Sequence, residues 1–120
     1  VADVYKRTVR ARVWITKNEI PRYDQEYLTS DTTMTESVHQ RAVLATNMST
    51  PDELDMTNLV TASVVMLETD RPITVFLNTT ANSFTLATNG MVMLVGSVTH
   101  VYVQNNSTTY TATVEFLATD

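Results

Sequence analysis

The chain contains no cysteine, two glycines and three prolines in 120 residues. The absence of cysteine excludes disulfides, thiolate zinc centres and cysteine nucleophiles. It points to assembly in a reducing cytosol. The scarcity of glycine excludes a glycine-rich phosphate loop and a dinucleotide fingerprint. Gly90 and Gly96 are separated by five apolar residues and read as turn residues. Long apolar runs are also missing. The longest, Met91-Val92-Met93-Leu94-Val95, falls far short of the roughly 20 residues that a membrane helix needs. No charged-then-apolar leader opens the chain, so no signal peptide is expected.

Threonine and valine are abundant, with 22 Thr and 16 Val. β-branched side chains lose freedom in a helix and pack well on a pleated surface. A third of the chain is thereby biased toward strand. The length fits one β domain over residues 1–120, large enough to bury a core without staples.

The net charge of −5 is unevenly spread. Residues 1–22 hold Lys6, Arg7, Arg10, Arg12, Lys17 and Arg22 against Asp3 and Glu19, a net of +4. Residues 23–120 hold Arg41 and Arg71 against 11 acids, a net of −9. An acidic body repels nucleic acid and anionic lipid, so neither nucleic acid nor membrane is an expected partner. A basic strand on such a body suits an acidic neighbour, including a second copy. The alternative is a solvated basic strand.

Periodicity predicts strands near residues 5–17, 60–68, 72–78, 83–88, 91–95, 98–104 and 108–118. In the first, Val9, Ala11, Val13 and Ile15 share one face; Arg10, Arg12 and Trp14 share the other. Residues 18–24, with Pro21, read as a loop, and 47–58 as a polar connection. Residues 34–45 fit two templates. Thr33-Met34-Thr35-Glu36 resembles a helix capping box, whereas Val38, Gln40, Ala42 and Leu44 fit a strand face. The all-strand neighbourhood favours strand. Met91–Val95 is apolar throughout, the pattern of a strand buried on both faces. Asn89-Gly90 and Gly96-Ser97 read as turns, and Val92, Leu94, Val114 and Phe116 as core. The sum is an all-β fold, a single sandwich or small barrel of about eight mostly antiparallel strands.

Catalytic signals are sparse. His39 and His100 lie 61 residues apart with no evident carboxylate partner. Asp52, Glu53 and Asp55 lack the loop glycine and terminal glutamate of an EF-hand. No serine sits in a nucleophile elbow. No catalytic residue, cofactor or metal ligand is expected. The suggestive cluster is Arg10, Arg12 and Trp14, a candidate subunit interface.

Residues 59–120 carry a succession of strand edges. Asp70-Arg71-Pro72 opens a strand with one polar face, and Gly90 opens the apolar strand. Val101-Tyr102-Val103-Gln104 runs into Asn105-Asn106-Ser107, and Ala112-Thr113-Val114-Glu115-Phe116 closes the chain. This half resembles a recurring type of small β-rich virion protein of tailed bacteriophages. The resemblance implies a structural component of the virion, assembled in the host cytoplasm. A capsid-decorating or stabilising subunit is foremost, with a neck or tail ring or adaptor component next. The implied partners are capsid, neck or tail proteins and further copies of itself as a homo-oligomer. A carbohydrate-binding receptor-recognition sandwich is the alternative from another class. It would need aromatics on one exposed face, and Trp14 with one or two tyrosines is the only set at hand.

Overall fold

A computed structural model describes residues 5–28, 32–34 and 36–120. Among these residues the regular elements are all strands, paired antiparallel throughout. They are β1 (Tyr5–Arg7), β2 (Arg10–Lys17), β3 (Ile20–Leu28), β4 (Thr32–Met34), β5 (Ser37–Leu44) and β6 (Asp52–Glu53). Then follow β7 (Ala62–Thr69), β8 (Ile73–Leu77), β9 (Ser83–Leu86), β10 (Met91–Val98), β11 (Val101–Gln104) and β12 (Ala112–Thr119). The all-β expectation holds. The chain divides into two compact units, residues 1–35 and 36–120.

The second unit is a sandwich. One sheet has the order β10-β7-β12-β5, the other β6-β11-β8-β9. No neighbours in the first sheet are consecutive in sequence, so tight hairpins do not set its register. The alternation of apolar and polar residues does. Val38, Ala118, Val65 and Leu94 lie side by side across the sheet, and so do Gln40, Phe116, Leu67 and Val92. From the other sheet come Ile73, Val75, Val101 and Val103, all buried. With Val38, Ala118, Val65, Phe116 and Leu67 they make one core, in which Phe116 is the largest fully buried side chain; Val92, expected in the core, packs against it only partly buried, and Gln40 and Leu94 lie at its margin. Burying a side chain of that size is worth about 1.5–3 kcal/mol over leaving it in water.

Asparagine takes over work that glycine usually does. Asn47, Asn78 and Asn89 in this unit, and Asn18 in the first, adopt positive φ, whereas neither glycine does. Gly90 is needed for space instead. A Cβ there would sit 2.7 Å from the carbonyl oxygen of Ala87, to which the Gly90 amide also donates. Asn105 is fully buried and clamps two loops. Its Nδ2 donates to the carbonyls of Tyr110 (2.6 Å) and Ala45 (3.2 Å), and its Oδ1 accepts from the Ser107 amide.

The first unit contains the β2–β3 hairpin and the short β1–β4 pair. Its one buried hydrophobic residue among the described residues is Val9.

Several expectations need correction. The strand reading of residues 34–45 holds over β5 (Ser37–Leu44), whereas Met34 ends β4 and Thr35 of the capping alternative lies outside the described residues. Residues 18–24 are not a loop: a two-residue turn at Asn18 and Glu19 leads straight into β3. Pro21 is tolerated because a two-stranded ribbon has open edges. The strand expected over 5–17 is broken at Thr8 and Val9, and the last strand begins only at Ala112. β10 is an edge strand, not one buried on both faces. Met91 and Val95 are about half exposed or more, and Leu94 is only half-buried. Gly96-Ser97 does not end it; β10 continues to Val98 through a bulge. Among the described residues twelve strands appear, against about eight expected: the break at Thr8 and Val9 separates β1 from β2, and the short β4 and β6 and the long β3 were not legible.

Candidate functional site

The hairpin carries the expected Arg10, Arg12 and Trp14 cluster. Arg10, Arg12 and Trp14 face the same way on β2, and their Cα partners on β3 are Leu28, Glu26 and Asp24. Both arginines are engaged within the hairpin. Arg10 pairs with Glu26. Arg12 forms a fork to Asp24, with both bonds at 2.8 Å. Hydrogen bonding from Arg12 holds the Asp24 carboxyl below its ordinary range and pushes the guanidinium further up. Arg12 also lies 5.2 Å from the centre of the Trp14 ring. These exposed pairs add little stability but fix the register of two strands.

The charge asymmetry thereby changes meaning. The +4 of residues 1–22 is met by Asp24, Glu26 and Asp31, so the first unit (residues 1–35) carries only +1. The second unit, with eight acids against Arg41 and Arg71, carries −6.

What the hairpin leaves unsatisfied is apolar. Ala11, Val13 and Ile15 share the opposite face with Tyr27, Gln25 and Tyr23. Val13, Ile15, Tyr23 and Tyr27 are 49–56% exposed, and on the other face Trp14 and Leu28 are 60% and 58% exposed. Among the described residues, both faces of the hairpin carry large apolar side chains about half exposed or more. The signal for β3 was present in the sequence. Tyr23, Gln25 and Tyr27 alternate with Asp24 and Glu26, whose acids mirror Arg12 and Arg10. Pro21 and the density of charge obscured it. Trp14 lies on the face opposite Tyr23 and Tyr27, so the three aromatics do not share one face.

The histidines do have partners. His100 Nδ1 lies 2.6 Å from Glu53 Oε1, so the ring donates to the carboxylate. The ring also stacks on Tyr102 at 6.0 Å. The pair ties β6 to the turn before β11, beside an open depression of about 730 Å³ bounded by Leu54, Asp55 and Thr57. Asp55 spends one oxygen on the Thr57 amide. His39 Nε2 lies 3.2 Å from Glu115 Oε2, and Arg41 bonds Glu115 Oε1 at 2.5 Å. The hydrogen bond from Arg41, with a smaller contribution from His39, holds the Glu115 carboxyl below its ordinary range. Both sets join neighbouring strands or turns. Among the described residues no group of three or more His, Asp or Glu gathers closely enough to hold a metal. No protein-family model matches the chain, and no curated protein matches it either.

Proposed function

We propose that this protein is a non-catalytic assembling subunit of a tailed-bacteriophage virion. A capsid-decorating or stabilising role is foremost, and a neck or tail ring component is the nearest variant. The observation that carries the reading is the β2–β3 hairpin, with large apolar side chains about half exposed on both faces. A two-stranded ribbon is marginal alone in water. Large apolar patches left open on a small protein mark contact surfaces. The hairpin gains its missing burial from a neighbouring subunit. The cysteine-free sandwich supplies a rigid body suited to assembly in a reducing cytosol.

Incorporation into purified particles tests this. Reversing Arg10 and Arg12 alone would break the hairpin's own ion pairs, so the informative variants leave them in place. Ile15→Asp with Tyr23→Asp spoils one face, and Trp14→Ala thins the other. At least one is expected to lower incorporation severalfold while circular dichroism stays β-rich. The swap Arg12→Asp with Asp24→Arg keeps an internal pair and is expected to be tolerated unless that face docks on charge. Full incorporation of all three variants would refute the reading.

A further inference from the structure

The sandwich has four edge strands: β10 and β5 in one sheet, β6 and β9 in the other. Soluble proteins guard such edges by shortness, charge or proline, because an open edge is a template for another strand. β6 has two residues and β9 has four. β5 presents His39 and Arg41. β10 has none of these guards. It is eight residues long, Met-Val-Met-Leu-Val-Gly-Ser-Val, without a charge or a proline. Only the bulge after Val95 interrupts it.

The backbone groups at this edge follow from the ladder. The Thr69 amide donates to the Gly90 carbonyl at 3.0 Å, and the register continues as Met91 with Glu68 through Val95 with Val64. Antiparallel pairs alternate between hydrogen-bonded and non-hydrogen-bonded. Gly90, Val92 and Leu94 therefore turn their N–H and C=O groups toward β7. Met91, Met93 and Val95 turn theirs outward. The side chains of these three lie on the sheet face away from the core, where Met91 is 58% and Val95 48% exposed.

We propose that β10 is a two-fold interface, pairing antiparallel with β10 of a second copy and with Met93 opposite its own counterpart. This deepens the assembly reading and rests on it for the second copy, but it uses none of the hairpin. The strand is complementary to itself. With Met93 at the centre, Met91 faces Val95, and each of the three outward-turned residues meets another outward-turned residue. Each such pair exchanges two N–H···O bonds. Centring on Val92 or Leu94 leaves one outward-turned residue of each copy without a partner. Every opposed side chain is apolar, so no like charges meet. A two-fold contact also closes, forming one continuous sheet across two sandwiches instead of an open fibre.

The cysteine-free chain makes the register readable. Met93→Cys places two thiols on Cα atoms about 5.5 Å apart, within disulfide range. Met91→Cys places its two roughly 13 Å apart along the strands. Under mild oxidation Met93→Cys is expected to form a covalent dimer at least tenfold faster than Met91→Cys. Met91→Cys mixed with Val95→Cys is expected to cross-link as the heterodimer. Met93→Pro removes an outward N–H and spares the β7 ladder. In sedimentation velocity it is expected to weaken the dimer roughly tenfold or more. Val95→Lys, which guards the edge without touching the backbone, is expected to do the same. Added salt is expected to preserve or tighten the wild-type dimer, because it screens the repulsion between two acidic chains.

A wild-type chain that stays monomeric at its solubility limit would overturn the proposal, as would equal cross-linking at 91 and 93. A dimer lost in the hairpin variants but kept in Met93→Pro and Val95→Lys would overturn the β10 edge and leave the assembly reading intact. Failure of the assembly reading itself would show separately, as particle incorporation indifferent to every hairpin variant.

Discussion

Asn105 offers the most incisive test of how the second unit is held together. It is fully buried, with three side-chain hydrogen bonds to the backbone of loops at 45, 107 and 110. Asn105→Ala removes all three and leaves two carbonyls without a donor. At about 1 kcal/mol net per bond, plus the cost of orphaned groups, the loss is about 2–4 kcal/mol. For a unit of this size the melting temperature falls by roughly 10–30 °C. Asn105→Asp is nearly isosteric and keeps the acceptor for Ser107, but it sets a carboxylate against the carbonyls of Tyr110 and Ala45. Its folded pKa must rise above the ordinary value of about 3.9. A raised folded pKa gives stability that is present below the unfolded value and lost as pH rises through the folded one. The aspartate variant is therefore expected to be least impaired near pH 4 and most impaired at pH 7. Urea titration followed by far-UV circular dichroism is the assay. Fluorescence of Trp14 reports the first unit instead, because that is the only tryptophan. An Asn105→Asp chain within about 0.5 kcal/mol of wild type at pH 7 would refute the reasoning.

Phe116→Ala, at a site with no solvent exposure, is expected to cost about 3–5 kcal/mol in the same titration; a loss below about 1 would mean the core closes without it. Gly90→Ala brings a Cβ against the Ala87 carbonyl and is expected to cost about 1–3 kcal/mol. Gly96→Ala meets no atom within 4 Å and is expected to be neutral or stabilising by up to about 1 kcal/mol; the reverse order would contradict the turn geometry. Glu115 titrates below the ordinary carboxylate range chiefly through Arg41, so Arg41→Gln is expected to raise its carbon-detected NMR titration, and His39→Gln to raise it less. The stability from this lowered pKa is present above the unfolded value and lost as pH falls through the folded one; an unmoved Glu115 in Arg41→Gln would remove the basis for the claim.

Much of the sandwich was readable because its strands alternate cleanly. Residues 73–77 put Ile73, Val75 and Leu77 on one side against Thr74 and Phe76, and residues 112–118 put Ala112, Val114, Phe116 and Ala118 on one side against Thr113, Glu115 and Leu117. That pattern identifies both the strand and its buried face. Where both faces were apolar, at Met91–Val95, periodicity was silent, and burial on both sides was the natural inference. Only sheet order reveals that this stretch is an edge. β3 was missed for the opposite reason: its alternation is written in tyrosine and acids, which read as loop. The candidate site was half legible. Arg10, Arg12 and Trp14 do share a face, but Asp24 and Glu26 neutralise the arginines from a strand whose first part, to residue 24, reads as a loop and whose remainder is too polar for periodicity to assign.

Composition and local pattern alone determined that the chain is all-β, that it holds no thiol chemistry, and which residues of most strands point inward. These follow from steric preferences and from water, both of which act on a residue and its near neighbours. Tertiary structure decided the division into two units, the pairing of His39 with Glu115 and of His100 with Glu53, and which strands stand at the edges. Each of these depends on which distant segments become neighbours in a sheet whose adjacent strands are not consecutive in sequence.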